Sequence, residues 1–382
     1  MQGQAFLKPG RPSRDTNDVL PTPKGPSMRA HRHLVLASLL AAAGCAADGG
    51  SAFPPLGDDG GSDDLAAPGR PDLAGRDLAA QKGADLAMPH GAQDMAVSQG
   101  MGGKPAGGNV GAKGGQVDRL YFAFHGDVRP MNCDDTPNYP TQIITSIFQQ
   151  EGQQGVEFAL DLGDHMFACS SNSKYADDQM NLYMTASHSL PKTTFLTMGN
   201  HECRASMICS NNGDVNYAAF LSALAPISKT PYYSFDVQTS AGLATFVIVA
   251  DNAWSNAEQT WLENTLSTAD KKAKYTFIAR HHPIDNTDLP NMMTEWQIIQ
   301  KHKYSIFFTG HTHEYKHDVA LDPSRRTVRL GAGGAPLAVP PNGDGYFYGY
   351  GTVLQGLDGH LYVTIYDESN GNIIDAWNVP PQ

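Results

Sequence analysis

Five short runs of β-branched and aromatic residues in this chain stop at the same kind of punctuation. Leu120 to Phe124 leads to Gly126-Asp127, Val156 to Leu162 to Gly163-Asp164, and Thr194 to Thr197 to Gly199-Asn200-His201-Glu202. Tyr275 to Ala279 leads to His281-His282-Pro283, and Ser305 to Thr309 to Gly310-His311-Thr312-His313. Runs of this length and composition are strands. Helical patterns at Thr141 to Gln150, Tyr217 to Leu224 and Glu258 to Leu266 alternate with them, so the fold is α/β. In open α/β sheets ligands bind beyond the carboxyl ends of the strands, so the five clusters are expected to meet in one crevice. A sixth candidate strand, Ala244 to Ala250, runs into Asp251. From Arg326 onward the chain is Gly-rich, with strand-like pieces such as Leu361 to Tyr366 that read as antiparallel hairpins.

The residue types in the clusters carry a chemistry. Imidazoles mixed with carboxylates suit Zn, Mn or Fe, whereas an all-carboxylate set would suit Mg or Ca. Glycine beside each candidate ligand permits a tight turn and close backbone approach. His311 and His313, two residues apart across a sharp turn, can face different ions, and two ions about 4 Å apart can clamp an in-line displacement at phosphorus.

The ordered set Gly-Asp, Gly-Asp, Gly-Asn-His-Glu, His-x-Pro and Gly-His-x-His resembles the calcineurin-like metallophosphoesterases over residues 117 to 382. Tyr232-Tyr233-Ser234-Phe235 and Trp261-Leu262 look like the purple acid phosphatase branch. The resemblance implies a four-layer α/β/β/α sandwich, two mixed sheets flanked by helices, and a hydrolase of phosphate esters, monoesters before diesters. It implies two divalent or trivalent transition-metal ions, Fe, Zn or Mn. Asp164 would bridge them; Asn200, His281 and His311 would complete one site, and Asp127 and His313 would bind the other ion. His201 would stabilise the transition state or protonate the leaving group, in keeping with an imidazole pKa near neutrality.

Two positions depart from the family pattern. A second ligand for the Asp127 ion is common two residues after that Asp or three after the bridging Asp; here those residues are Arg129 and Phe167. Water, His125 or His165 would have to fill the gap, and because the family's Tyr three residues after the bridging Asp is replaced here by Phe167, no purple Fe(III) centre is expected. Arg129 can grip a phosphate oxygen bidentately, or simply pair with a carboxylate. The same shortfall motivates a second reading, a metal-poor pseudoenzyme kept as a binding lipoprotein. His282, His165 and His125 read first as structural, because alternate residues on a strand point opposite ways. Asp251 also reads as structural, and His188, His302, His317 and His360 as surface residues.

The rest of the chain is address and tether. Arg29, His31 and Arg32 precede the apolar run Leu34 to Ala43, too short to span a bilayer but suited to a signal-peptide core, and Ala42-Ala43-Gly44-Cys45 looks like a lipobox. Residues 1–45 thus read as an over-called start followed by a lipoprotein signal with its core at 28–45. Cys45 would carry the lipid that anchors the protein to a membrane of the cell envelope, the outer membrane or periplasmic side of a Gram-negative bacterium. Residues 46–116, rich in Gly, Ala, Asp and Pro, read as a disordered tether, and 117–382 as the catalytic domain. Cys133, Cys169, Cys203 and Cys209 are even in number in an exported domain, which suggests disulfides; Cys203 with Cys209 and Cys133 with Cys169 is the favoured of three pairings. A net charge of -12 argues against a nucleic-acid-binding surface, and the partner that the resemblance implies is a small phosphate ester.

Overall fold

The computed structural model describes residues 100–204, 209, 214–285, 289, 291–317, 326–341, 343 and 345–381. The leader, Cys45 and the stretch read as a tether through residue 99 lie outside them, as do residues 205–208, 210–213, 286–288, 290 and 318–325. The chain opens with a hairpin, β1 (Gly108–Gly111) and β2 (Gly114–Val117), followed by β3 (Tyr121–His125), α1 (Thr141–Gln154), β4 (Phe158–Asp161), α2 (Ser173–Ser187) and β5 (Thr193–Leu196). Next come α3 (Val215–Leu224), β6 (Tyr233–Thr239), β7 (Gly242–Ile248), α4 (Asn256–Lys272), β8 (Ala273–Ala279), α5 (Met292–Ile299) and β9 (Ile306–Thr309). The described residues end with β10 (Tyr315–His317), β11 (Arg326–Leu330), β12 (Gly349–Gln355), β13 (Leu361–Asp367) and β14 (Ile373–Val379).

These strands form two mixed sheets, one ordered β1-β2-β6-β7-β8-β9-β11-β10 and the other β14-β13-β12-β3-β4-β5. Within the second sheet β3, β4 and β5 are parallel; within the first, β7, β8, β9 and β11 are. Alternation along the central strands explains the layering. Phe246, Phe277 and Phe308 face the other sheet, where Phe122 meets them edge-on at 5.2, 5.3 and 6.0 Å between ring centroids. The intervening Val247, Ile278 and Phe307 face outward and form a second core with Leu262, Leu266, Ile298 and Ile299 of α4 and α5. On the far side α1 lies against β12 and packs on α2, which packs on α3. The result is the expected α/β/β/α sandwich of two mixed sheets and five helices.

Several features differ from the sequence reading. Folded structure begins before Val117: β2 pairs parallel with β6, and Arg119 donates to the carbonyl of Met101 at 2.7 Å, so the glycines at 108–115 serve a close-packed sheet edge rather than a tether. Helix α2 went unforeseen because its buried stripe, Ala176, Met180 and Tyr183, is thin among polar residues. Helix α5 was likewise not among the helical patterns read from the sequence. The Gly-rich end forms antiparallel pairs at β12, β13 and β14, but β11 runs parallel to β9. His302 is buried rather than on the surface, held by Asp270 at 2.7 Å and Glu263 at 3.3 Å beneath α4.

Candidate metal centre

The five clusters leave the carboxyl ends of β3, β4 and β5 in one sheet and of β8 and β9 in the other. Their backbones are laced together: Asp127 N donates to the Gly163 carbonyl at 2.9 Å, Val128 N to that of Asp164 at 3.1 Å, and Gly310 N to that of His281 at 2.9 Å. Asp127, Asp164, His311 and His313 all lie in the left-handed region, with φ of 60, 61, 71 and 49°. That conformation is uncommon for residues other than glycine and costs on the order of 1–3 kcal/mol each, so four at one spot mark a place where side-chain direction outweighs backbone comfort.

Asn200 Oδ1 lies 3.0 Å from His281 Nε2 and 3.0 Å from His311 Nδ1, and His281 Nε2 is 3.3 Å from Asp164 Oδ1. The other nitrogen of His281, Nδ1, is 2.8 Å from the Leu162 carbonyl, to which it can only donate. Nε2 of the neutral ring is then a bare lone pair turned toward two oxygen lone pairs, an arrangement that asks for a cation. The separations match neighbouring donors around one ion, which are about 3 Å apart when metal–ligand bonds are about 2.1 Å. Burial opposes charge on His281, but Asp164 and then Asp127 raise it to about 10, the same demand for positive charge expressed as a proton. His311 goes the other way, pushed down to about 3 by burial and by the charges of His281 and His282, so it is a neutral imidazole.

A second group adjoins the first. Asp127, Asp164 and His313 bring one donor atom each within 4.8 Å of one another, with His313 Nε2 3.4 Å from Asp127 Oδ1. His313 Nδ1 is fixed by the Pro336 carbonyl at 2.6 Å, leaving Nε2 for the centre. Asp127 Oδ1 is fully buried with no hydrogen-bond partner, while its Oδ2 accepts His311 N at 2.8 Å. The residues therefore fit divalent ions on the chemistry of their donors as well as on position. Arg129 Nε and His201 Nε2 approach Asp164 Oδ2 at 3.6 and 3.8 Å. The His201 ring packs edge-on against Phe167 at 4.4 Å and is pushed down to about 3 by burial, aided by Arg129 and His281, against the pull of Asp164.

A profile of the family described as calcineurin-like phosphoesterase matches residues 122–315, a span that holds all eight of these residues. The chain belongs to the calcineurin-like phosphoesterases. No curated protein sequence matches it. Among solved structures, it resembles a purple acid phosphatase isolated from yellow lupin (Lupinus luteus) seeds, with 15% identity, a TM-score of 0.49, and 69% of this chain and 54% of that one covered. The chain thus spans about half the length of that protein. A dimetal phosphatase from Danio rerio gives 13% identity and a TM-score of 0.49, with 69% and 99% covered. A putative 5'-nucleotidase from Staphylococcus aureus gives 14% identity and a TM-score of 0.39, with 69% and 54% covered.

For a calcineurin-like phosphoesterase, what the sequence reading missed is the support beneath the ligands. Glu202 accepts the backbone N–H of Gly199 at 2.6 Å, of Asp164 at 3.1 Å and of His165 at 2.7 Å, so one buried carboxylate ties two clusters together. Its place in the Gly-Asn-His-Glu run was the available signal. His165 and His125 do not fill the short site: His165 lies between Glu202 and Asp161, and His125 between Asp161 and Glu151, all fully buried. His282 and Asp251 form a buried pair at 3.0 Å, and the His282 ring leans on His311 at 4.1 Å. Both favoured disulfides are present, Cys133–Cys169 and Cys203–Cys209.

Proposed function

We propose that this phosphoesterase hydrolyses phosphomonoesters with two transition-metal ions, one held by Asp164, Asn200, His281 and His311 and the other by Asp127, Asp164 and His313. The observation that carries the reading is the convergence of Asn200 Oδ1, Asp164 Oδ1 and His281 Nε2 at 3.0–3.3 Å, with the proton of His281 committed to Leu162. Bound divalent ions would supply a water-derived nucleophile at neutral pH and offset the ester's negative charge. The chain's own residues do the rest. Carbonyls of Leu162 and Pro336 hold the imidazoles of His281 and His313 in the ligating tautomer. His201, neutral and 20% exposed at its side chain, offers an N–H to the oxygen that gathers charge as the ester bond breaks. Arg129, at the rim, pairs with a second phosphate oxygen, which favours a monoester dianion over a diester. The proposal includes export, with the catalytic part carried on a tether from a lipid on Cys45.

The test is hydrolysis of a chromogenic phosphomonoester and its matching diester by the whole purified chain, stripped of metal and resupplied with Mn, Zn or Fe. Turnover that returns with metal and is lost in Asp164→Asn supports the reading, and the monoester should be the faster substrate. A folded chain with no turnover under any of the three metals would overturn it.

A further inference from the structure

The two metal positions of the proposed centre are unequally furnished. Four donors, Asp164, Asn200, His281 and His311, meet at one, whereas the other has Asp127, His313 and a share of Asp164. What stands beside the poorer position is a cation of the chain itself. Arg129 Nε is buried, lacks a hydrogen-bond partner and points at Asp164 Oδ2 from 3.6 Å.

The surroundings of Arg129 hold it there. Its guanidinium carbon lies 4.8 Å above the Phe167 ring, a cation–π contact, and one terminal nitrogen donates to the Pro130 carbonyl at 3.1 Å. The loop that carries Arg129 and the loop that carries Phe167 are joined by the Cys133–Cys169 disulfide, with Cα atoms 5.7 Å apart. Asp134, next to Cys133, accepts the N–H groups of Cys169 at 2.9 Å and Ser170 at 3.2 Å. Asp127 and Asp164, at the roots of the same two loops, are linked through the Val128 N to Asp164 carbonyl bond. Arg129 is therefore clamped to the bridging carboxylate by its shelf, by a covalent tie and by backbone.

We propose that Arg129 is a resident cation that takes over part of the charge of the ion at the Asp127 position. The four-donor position then holds its ion tightly, and the Asp127 position holds its ion loosely because like charge opposes it and one donor is shared. In the one-ion form the guanidinium binds a phosphate oxygen in place of the second ion. This inference rests on the metal-site reading given above.

Metal binding decides it without recourse to turnover. The metal-free whole chain is titrated with Zn or Mn by calorimetry, and ions retained after desalting are counted by elemental analysis, for the natural chain, Arg129→Gln and Arg129→His. The natural chain should retain one ion and bind a second about 10–100-fold more weakly, the scale on which a site's surroundings alter metal affinity. Arg129→Gln should tighten the second ion by removing its competitor, and Arg129→His should tighten it further by adding a ligand. Inorganic phosphate, titrated against the one-ion form, should bind about tenfold more weakly to Arg129→Gln than to the natural chain. Two ions held equally by the natural chain, or a second affinity unmoved in both variants, would overturn the inference while leaving the metal-site reading intact. A chain that binds no ion would overturn both.

Discussion

At the scale of single residues, the proposed centre separates side chains that would hold ions from the ring of His201, which would act on the substrate instead. His201 touches Asp164 through its own backbone N–H, which donates to Oδ1 at 3.0 Å, while its ring rests on Phe167. The substitution His201→Ala removes the ring and keeps the backbone bond. It should lower kcat by about 10²–10⁴, the usual worth of a positioned proton-transfer or hydrogen-bonding group, with the retained metal count unchanged. Elemental analysis beside steady-state kinetics separates the two effects, and a fall in metal content would recast His201 as a ligand. The side chains of the centre were legible in the sequence because each follows a strand in a Gly, Asn or His cluster. Their orientation was not. The carbonyls of Leu162 and Pro336 that fix two imidazoles are backbone atoms, and any residue type would supply them.

At the scale of elements, strand ends and the turns that follow them decide whether the ligands meet. The strands were readable within a few residues from their β-branched and aromatic runs. The turn conformations were not, since Asp127, Asp164, His311 and His313 adopt a left-handed backbone that ordinary propensity would assign to glycine. The glycine between β4 and Asp164 shows how tight the junction is. Gly163 has φ of 100°, and a Cβ there would lie 2.8 Å from Gly199 N and 2.9 Å from His281 Nδ1. Gly163→Ala should therefore lower stability by about 1–3 kcal/mol through backbone strain alone. It should also weaken metal binding, because the displaced atoms belong to two other ligand clusters. Urea denaturation of metal-free protein measures the first effect and metal titration the second; a variant as stable as the natural chain would mean that the junction yields.

Across the whole molecule, the layers are joined through buried ionisable side chains that no periodicity announces. Helix α4 was legible from its apolar spacing, yet its Glu258 is fully buried and accepts the Ala250 N–H at 2.7 Å, where β7 gives way to Asp251. Asp251 in turn holds His282, which leans on His311, so the outer helical layer reaches the centre through this pair. Burial pushes the Glu258 carboxyl up to about 9, with Glu295 and Asp251 adding to the rise and the Ala250 N–H opposing it. The folded chain thus keeps this proton to about pH 9, whereas the unfolded chain releases it near the ordinary value of 4.5. Stability from this group is complete below the lower value and is lost as pH climbs toward the upper one, by up to about 1.4 kcal/mol per pH unit. In Glu258→Gln the side chain keeps an acceptor for Ala250 and has no proton to lose, so that slope should vanish. Thermal or urea unfolding of both proteins at pH 5, 7 and 9 reads the difference. Parallel curves would mean that Glu258 is ionised in the folded state, and the link from outer layer to centre would then run through a charge rather than a neutral acid.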